Sequence, residues 1–282
     1  MKINIGISFT SHLRELLSDQ TEEKDLRSNY LNAIEDFLTF VKGNKLNTIE
    51  LGSFPPYDGV LLNEIASEIA NMTEGMSISF HLPAWEVNIA ALNEGIRNAA
   101  LSETISQIEL CNRMGISRVC IHPGSYGSMT SFYKGFPSLI KEHCETSVKE
   151  LLKVAENNKM ELLVENIPFG SPYYRDPIDF EPLVAEGAGF LLDTAHAITS
   201  GNDPLEFVNK FGDKIKEVHL VDGFTHKPDT HLPLGDGEVN FKSLFVELEK
   251  INFTGPYMIE LVSTDDVLQS LKYIKDLGIE YY

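Results

Sequence analysis

Cysteine is scarce in this sequence. Only Cys111, Cys120 and Cys144 occur in 282 residues, and no two of them form a Cys-x-x-Cys pair. This scarcity argues against a disulfide framework and against a thiolate metal site. Cys120 falls in a predicted strand and the other two at apolar positions of predicted helices. We therefore expect three reduced core residues.

Long apolar runs are also missing. No stretch reaches the roughly 18 apolar residues that mark a membrane-spanning helix. Residues 1–10 have the pattern of a strand rather than of a signal sequence. These absences predict a soluble, cytoplasmic protein that does not bind membranes.

Basic residues are also few. Lys and Arg number 23 against 42 Asp and Glu, which gives a formal net charge of -19. Residues 46–96 contain no Lys or Arg at all. An acidic surface repels phosphate backbones and favours cations. Duplex DNA is therefore an unfavourable partner, although charge by itself does not exclude it.

What the sequence does contain is a regular alternation of short β-branched runs with longer amphipathic segments. This alternation is typical of repeated βα units around a parallel sheet. The predicted strands are residues 3–8, 47–51, 77–82, 118–122, 161–165, 189–193, 215–220 and 256–261.

Between the predicted strands, apolar residues recur at helical spacing. The clearest stripes, all predicted to face the core, are Leu101, Ile105, Ile108 and Cys111; Ile140, Cys144, Val148, Leu151 and Ala155; and Leu268, Leu271 and Ile274. No Pro/Ser-rich linker or block of charge divides the chain. We therefore predict a single (β/α)8 barrel domain over residues 1–282.

Two predicted loops are long, residues 123–135 after the fourth strand and residues 222–240 after the seventh. The loops that follow the strands build the active site in such a barrel, so we expect these two to form lids or substrate walls. Ser125, Arg175 and Lys227 are candidate phosphate contacts, and each also fits an ordinary loop residue.

Ligand-type side chains are concentrated at the carboxyl ends of the predicted strands. These ends meet at one rim of a barrel, which brings residues that are distant in sequence close together. The set is His81, His122, Glu165, Asp193, His196, His219, Asp229, His231 and Glu260. Imidazole and carboxylate suit zinc, manganese or iron. So many groups suit two or three ions with an open position for water or substrate.

Each of these residues could also have a purely structural role instead of binding a metal ion. A histidine that ends a strand is often only hydrogen-bonded, and an Asp or Glu there often caps the next helix. The repetition along strand after strand favours the metal site. Of the other histidines, His143 is predicted on a helix and His12 and His226 in loops, with His226 as a candidate substrate contact.

Taken in order, these segments resemble the xylose isomerase-like TIM barrel superfamily, which includes the endonuclease IV family and the sugar phosphate isomerases and epimerases. No single segment is specific for this superfamily, but the complete set in this order is. The matching segments are His81-Leu82-Pro83, Ile121-His122-Pro123-Gly124, Val164-Glu165-Asn166, Leu192-Asp193-Thr194-Ala195-His196-Ala197, His219-Leu220-Val221-Asp222, Asp229-Thr230-His231 with Leu234-Gly235-Asp236-Gly237, and Ile259-Glu260-Leu261.

The resemblance implies two alternative metal sites. In the endonuclease IV family the residues at these places hold three zinc ions, and this sequence keeps the whole set. In the isomerase and epimerase branch, the places of four residues hold one ion, which manganese or magnesium would also fit. These four are Glu165, Asp193, His219 and Glu260, and the two glutamates would also move the substrate proton.

The sequence departs from the endonucleases of this superfamily in its early loops. Those enzymes grip DNA with basic and aromatic residues there, including a Tyr after the His-x-Pro of the third strand. Here Ala84 stands in that place, followed by Trp85. A duplex-binding face needs several phosphate contacts, and this half of the rim lacks the basic residues to make them.

Three functions remain open. The first is a metal-dependent isomerase or epimerase of a sugar, polyol or sugar phosphate, with Glu165 and Glu260 as acid and base. The second is a trinuclear zinc phosphoesterase acting on abasic DNA or a smaller phosphodiester, in which Glu165 bridges ions. The third is a non-catalytic barrel that uses its metal only for stability or binds a ligand without turning it over. The acidic early loops favour the first, with a small carbohydrate or phosphoester as ligand. The oligomeric state is not predicted.

Overall fold

Eight parallel strands form a closed barrel in the computed structural model, which describes residues 2–16, 25–124, 135–168 and 173–282. Each barrel strand pairs with its neighbours in sequence, and the last pairs with the first. The predicted (β/α)8 barrel is therefore confirmed. The strands are β2 (Ile5–Ser8), β3 (Thr48–Gly52), β4 (Ser77–His81), β5 (Arg118–Ile121), β6 (Glu161–Glu165), β7 (Gly189–Asp193), β8 (Ile215–Leu220) and β9 (Tyr257–Ile259).

Helices alternate with these strands along the chain. Short 3-10 turns occupy Pro177–Phe180 and Gly212–Lys214. Of the helices in the described ranges, none is both long and apolar enough to cross a membrane. The helices are α1 (Thr10–Leu16), α2 (Leu26–Gly43), α3 (Gly59–Met72), α4 (Glu94–Arg113), α5 (Pro137–Asn157), α6 (Glu181–Ala185), α7 (Thr194–Thr199), α8 (Pro204–Phe211), α9 (Phe241–Lys250) and α10 (Thr264–Asp276).

The first predicted strand is divided in the structure. The pattern predicts one strand over residues 3–8, but Lys2–Ile3 forms a separate strand, β1, that pairs in parallel with β10 (Glu280–Tyr281). Asn4 separates β1 from the barrel, and its side-chain oxygen accepts a hydrogen bond from Thr48 Oγ1 at 2.7 Å. The other strand ends differ from the prediction by no more than two residues, within the usual uncertainty of strand boundaries.

The sequence-based prediction of which residues of α10 face the core is wrong at one position. Leu268 is predicted to face the core but is 44% exposed, whereas its neighbour Val267 is fully buried. Val267, Leu271 and Ile274 have the spacing i, i+4 and i+7 that keeps residues on one face of a helix, and Leu268 does not fit it. The other predicted stripes, on α4 and α5, are buried or partly buried against the core.

His12 is also placed differently from the prediction. It lies on α1 rather than in a loop, because the chain turns into a helix directly after β2. Its ring is buried and contacts Phe37 edge to face at 5.3 Å between centroids. His143 lies on α5 and His226 in a loop, as predicted.

The long loop after β8 is held by one carboxylate. Asp222 is fully buried, and its two oxygens accept four backbone N–H groups at 2.9–3.0 Å, from Gly223, Gly235, Gly237 and Val239. A Cβ atom at Gly237 would lie 2.4 Å from Asp222 Oδ1, so glycine is required there. These bonds fix the ends of the loop, whose middle reaches the barrel mouth. Most of the other predicted long loop, residues 125–134 with Ser125, lies outside the described residues.

We expect the three thiols to be unreactive in the folded protein. Cys111, Cys120 and Cys144 are free and buried. Burial raises the pKa of Cys144 to about 12 and that of Cys120 well above its ordinary value, and the thiolate is the reactive form. A thiol reagent at about pH 8 should label no cysteine in the native protein and all three in guanidinium chloride. Rapid labelling of any native thiol would contradict the buried positions.

Candidate metal centre

The period of the strands explains how the rim side chains come together. Residues i and i+2 of a strand point to the same face, so each inward-facing rim residue has an interior neighbour two positions earlier. On β4, for example, Ser79 precedes His81, and on β8 Glu217 precedes His219. Both strands are parallel and end at the same rim, which places His81 and His219 there together.

Glu165, at the end of β6, is the centre of one half of this cluster. Its side chain is fully buried. Oε2 lies 3.3 Å from Nε2 of both His81 and His122, and Oε1 lies 3.1 Å from Nδ1 of His196. One carboxylate on β6 therefore joins histidines from three other segments.

His196 connects this half of the cluster to the long loop after β8. It lies in the first turn of α7, where its backbone N–H donates to the N-cap side chain of Asp193 at 2.6 Å. Its Nε2 is 3.3 Å from Asp229 Oδ2, and Nε2 of His231 is 2.9 Å from the same oxygen. Ligand atoms of His196, Asp229 and His231 lie within 4.8 Å of one another.

His219 is the centre of the other half. Its Nδ1 is 2.9 Å from Glu260 Oε2, 3.8 Å from Asp193 Oδ2 and 3.9 Å from Glu165 Oε1. Ligand atoms of these four residues also lie within 4.8 Å of one another. The structure thus brings all the rim residues selected from the sequence into one connected cluster, while their role as metal ligands stays a prediction.

Backbone carbonyl groups orient three of the imidazole rings. A carbonyl oxygen lies 2.8, 2.8 and 2.9 Å from Nδ1 of His81, His196 and His231, respectively. A carbonyl only accepts, so each Nδ1 carries a hydrogen and each neutral ring presents the lone pair of Nε2. Those lone pairs face carboxylate oxygens, which also only accept. A proton or a cation must lie between such groups.

The cluster also contains buried oxygen atoms that lack a hydrogen-bond partner. In the described part of the chain they include both carboxylate oxygens of Glu165 and Oδ2 of Asp193. Burying an unpaired charge is costly, and a set of imidazole and carboxylate groups suits zinc or manganese. The residues therefore fit a divalent cation.

The clustered charges shift one another's pKa values. Burial lowers the pKa of His81, but the adjacent Glu165 carboxylate, together with the charges of Glu50 and Glu260, outweighs burial and raises the pKa to about 9. Burial raises the pKa of Glu260, but the charge and hydrogen bond of His219, together with the charge of His231, outweigh burial and lower the pKa to about 2. Burial raises the pKa of Asp193 to about 6, although nearby histidines oppose the shift. Protons and a metal ion thus compete for the same groups, and acid should weaken metal binding.

Sequence reasoning did not select Glu50 and Glu217, which are buried below the rim. Glu50 Oε2 lies 3.1 Å from His219 Nε2, and Glu217 Oε1 lies 3.7 Å from the same nitrogen. Burial raises the pKa of Glu50 although the charge of His219 opposes the shift. The sequence did contain features that indicate their position. Glu217 stands two positions before His219 on the same strand, and Glu50 lies between apolar neighbours in a strand.

A cavity of about 910 Å³ opens above the cluster. Seven of the nine metal-ligand candidates line one part of it, while Asp193 and His219 are buried beneath. Leu13, Phe54, Trp85 and Val262 contribute apolar side chains to another part. The described residues that line the cavity include no Lys or Arg, and neither His226 nor the candidate phosphate contacts Arg175 and Lys227 are among them. Ser125 lies outside the described residues.

The fold and the sequence of this barrel match a known protein family. The family model for the xylose isomerase-like TIM barrel matches residues 38–277. The chain belongs to this family, which confirms the resemblance found in the sequence.

Individual relatives have diverse names. An uncharacterized protein of Methanocaldococcus jannaschii is 27% identical over 213 residues, which cover 71% of this chain and 70% of that protein. A protein of Thermosipho africanus named probable endonuclease 4 is 26% identical over 212 residues, which cover 64% and 69%. The crystal structure of a D-tagatose 3-epimerase-like protein superposes with a TM-score of 0.73 at 22% identity and covers 98% of this chain and 97% of that one. At this identity the structural likeness shows the fold alone.

Proposed function

We propose that this protein is a divalent-metal-dependent isomerase or epimerase of a small carbohydrate. The observation that carries the proposal is the group formed by Glu165, Asp193, His219 and Glu260, whose ligand atoms lie within 4.8 Å of one another beside the cavity. The name of the D-tagatose 3-epimerase-like neighbour supports the choice of reaction class. The lack of Lys and Arg among the described lining residues supports a small substrate rather than a nucleic acid.

In this proposal the same four residues hold one metal ion, and His81, His122, His196, Asp229 and His231 supply the remaining ligands if further ions bind. When bound, a divalent ion supplies Lewis-acid stabilisation to neighbouring oxygen atoms of the sugar. Zinc suits the histidine-rich set best, and manganese or magnesium suits the carboxylate-rich group of four.

In the proposed reaction, two carboxylates transfer a proton at a carbon atom of the substrate. Glu165 ends β6 and Glu260 follows β9, so they approach the site from separate sectors of the barrel. Glu260 Oε2 lies 2.9 Å and Glu165 Oε1 3.9 Å from His219 Nδ1. Epimerisation requires a base to remove a proton from one face of a carbon and an acid to return one to the other. In the proposed mechanism, Glu165 and Glu260 perform these two steps.

A trinuclear zinc phosphoesterase is the second candidate. It is favoured by the separate group formed by His196, Asp229 and His231, which a site with one ion does not need. The name of the Thermosipho africanus relative also supports it. Glu165 contacts three histidines. In this version it would help to hold metal ions and would not move a proton.

Metal content separates the two candidates. Protein purified without a chelator or a His-tag should contain a divalent metal ion by elemental analysis. One manganese, cobalt or magnesium ion per chain, with turnover of a ketose or sugar phosphate, is the result expected for the isomerase or epimerase. Two or three zinc ions per chain, with hydrolysis of a phosphodiester, would instead establish the second candidate. Protein that binds no divalent metal would contradict both.

Removal of the metal should lower the melting temperature. Glu50, Glu165, Asp193, Glu217 and Glu260 are all buried in one region, and a cation offsets their mutual repulsion. Binding to the folded state alone stabilises it by about 2.7 kcal/mol at a free metal concentration one hundred times the Kd. We therefore expect chelation to lower the melting temperature by roughly 5 °C or more.

Chelated protein that regains its melting temperature on addition of metal, yet turns over no sugar or phosphoester, would support a non-catalytic barrel. An unchanged melting temperature after complete metal removal would argue against a metal ion at the buried cluster. The thiol-labelling experiment provides an independent check that the chelated protein stays folded.

A further inference from the structure

The cavity above the metal centre has two chemically different sides. The polar side comes from residues at or after β4 to β9, whereas the apolar side comes from the segments that follow β9, β2, β3 and β4. We call this apolar side the apolar wall and define it as Leu13, Phe54, Trp85 and Val262. Because β9, β2, β3 and β4 are consecutive around the closed barrel, these four residues lie on one side of the cavity.

The wall presents aromatic surface to the cavity. The rings of Phe54 and Trp85 meet edge to face at 5.6 Å between centroids. Trp85 is 53% exposed and Val262 48% exposed. Exposed apolar groups that line a cavity beside polar groups are the usual composition of a ligand pocket.

The cavity is larger than a simple sugar needs. Even at about 30 Å³ for each non-hydrogen atom, the volume of one water molecule in the liquid, a hexose with twelve such atoms would take roughly 360 Å³. The cavity has a volume of about 910 Å³. A hexose would therefore fill less than half of this volume.

The charges near the cavity disfavour an anionic group in that space. Glu165, Asp229 and Glu260 line the cavity, and the described lining residues include no Lys or Arg. A phosphate would therefore find no Lys or Arg to pair with among these residues, whereas an uncharged apolar group would bury surface against Phe54 and Trp85.

We propose that the substrate is a sugar that carries an uncharged apolar substituent, aryl or alkyl, and that the apolar wall binds this substituent while the metal centre binds the sugar. The inference rests on the proposed function, since it takes the carbohydrate to lie at the metal centre. It adds the class of substrate, a neutral conjugate rather than a free sugar or a sugar phosphate.

The sequence provides a direct reporter for this binding, because Trp85 is the single tryptophan of the chain. We would titrate the metal-loaded protein with D-fructose, D-fructose 6-phosphate and 6-O-benzyl-D-fructose while recording tryptophan emission, with calorimetry in parallel. The benzyl derivative should bind at least about tenfold more tightly than fructose and should shift the emission to shorter wavelength, since ring contact removes water from the indole. Fructose 6-phosphate should bind no more tightly than fructose.

Two variants test whether the wall causes this preference. In Trp85→Ala the benzyl derivative and fructose should bind with equal affinity by calorimetry. The matched control is Ile178→Ala, because Ile178 is 61% exposed and is not among the residues that line the cavity. That variant should keep the tenfold preference. Benzyl alcohol alone should bind weakly, and chelation of the metal should remove the tight binding of the conjugate.

The possible failures are distinguishable. Equal binding of fructose and its benzyl derivative to the unmodified protein would overturn the inference and leave the proposed function intact. Tighter binding of fructose 6-phosphate than of the benzyl derivative would also overturn it. Emission that shifts with protein concentration in the absence of ligand would assign the wall to a second copy of the chain. If neither fructose nor its benzyl derivative bound to the metal-loaded protein, the proposed function itself would be contradicted.

Discussion

Substitution of Glu260 by Gln should abolish turnover while leaving the fold intact. Glu260 follows β9, is 8% exposed, and its Oε2 lies 2.9 Å from Nδ1 of His219. Glutamine has the same size and still hydrogen-bonds, so packing should be preserved. It has no carboxylate to exchange a proton with a substrate carbon or to bind a metal ion strongly. Loss of one acid–base group typically costs 100- to 10,000-fold in rate, and we expect at least about a thousandfold.

The measurement is turnover of the first substrate identified for the unmodified enzyme, together with metal content and circular dichroism. Glu64→Gln is the matched control, because Glu64 is an exposed residue of α3. The control should keep full activity. Near-normal turnover by Glu260→Gln would contradict both the isomerase and the phosphoesterase candidates, since each needs the negative charge at this position.

Substitution of Glu50 by Ala should weaken metal binding although Glu50 is not a proposed ligand. Its Oε2 lies 3.1 Å from Nε2 of His219, whereas Nδ1 of the same ring faces Glu260 and Asp193. If Nε2–H donates to Glu50, Nδ1 keeps its lone pair and faces the metal centre. Glu50 is therefore a positioning residue for His219. Loss of such a partner typically lowers metal affinity by about 10- to 100-fold.

The closest competitor for this hydrogen bond is Glu217. Its Oε1 is 3.7 Å from the same nitrogen and already accepts a hydrogen bond from Ser79 Oγ at 2.8 Å. Glu217→Gln, the matched control, should therefore change the metal affinity by less than about threefold. Glu50→Gln keeps an oxygen that accepts the Nε2–H and should also retain most of the affinity.

The experiment is a competition titration of zinc against a chelating dye for the unmodified protein and these three variants. Nitrogen-15 chemical shifts of the His219 ring report its tautomer independently of activity. Equal zinc affinity in Glu50→Ala and the unmodified protein would rule out the positioning role. A folded Glu50→Ala variant with weak zinc binding and a changed His219 tautomer is the expected outcome.

The order of strands and helices was predictable because it depends on local periodicity. Alternation with period two marks strands, and spacing of three and four residues marks helices. The prediction failed where two neighbouring apolar residues compete for one face, as Leu268 and Val267 do on α10. It also failed where the chain leaves the barrel at Asn4, because the partner of β1 is the distant strand β10.

The rim residues were predictable for a related reason. All strands of a parallel barrel end at one rim, so a ligand-type residue at a strand end is placed there whatever its partners are. The interior residues were harder to select. Glu50 and His219 are 169 positions apart, and their contact joins strands on separate sectors of the barrel.

The sequence by itself determined the barrel, its family and the set of histidines and carboxylates at its mouth, because each of these follows from local pattern and strand direction. Only the tertiary structure decided that Glu50 contacts His219, that Asp222 holds the loop carrying Asp229 and His231, and that apolar side chains share one cavity with the histidine and carboxylate cluster. These features depend on which side chains meet across the closed barrel. That pairing is set by strand tilt, register and loop packing, which local sequence does not encode.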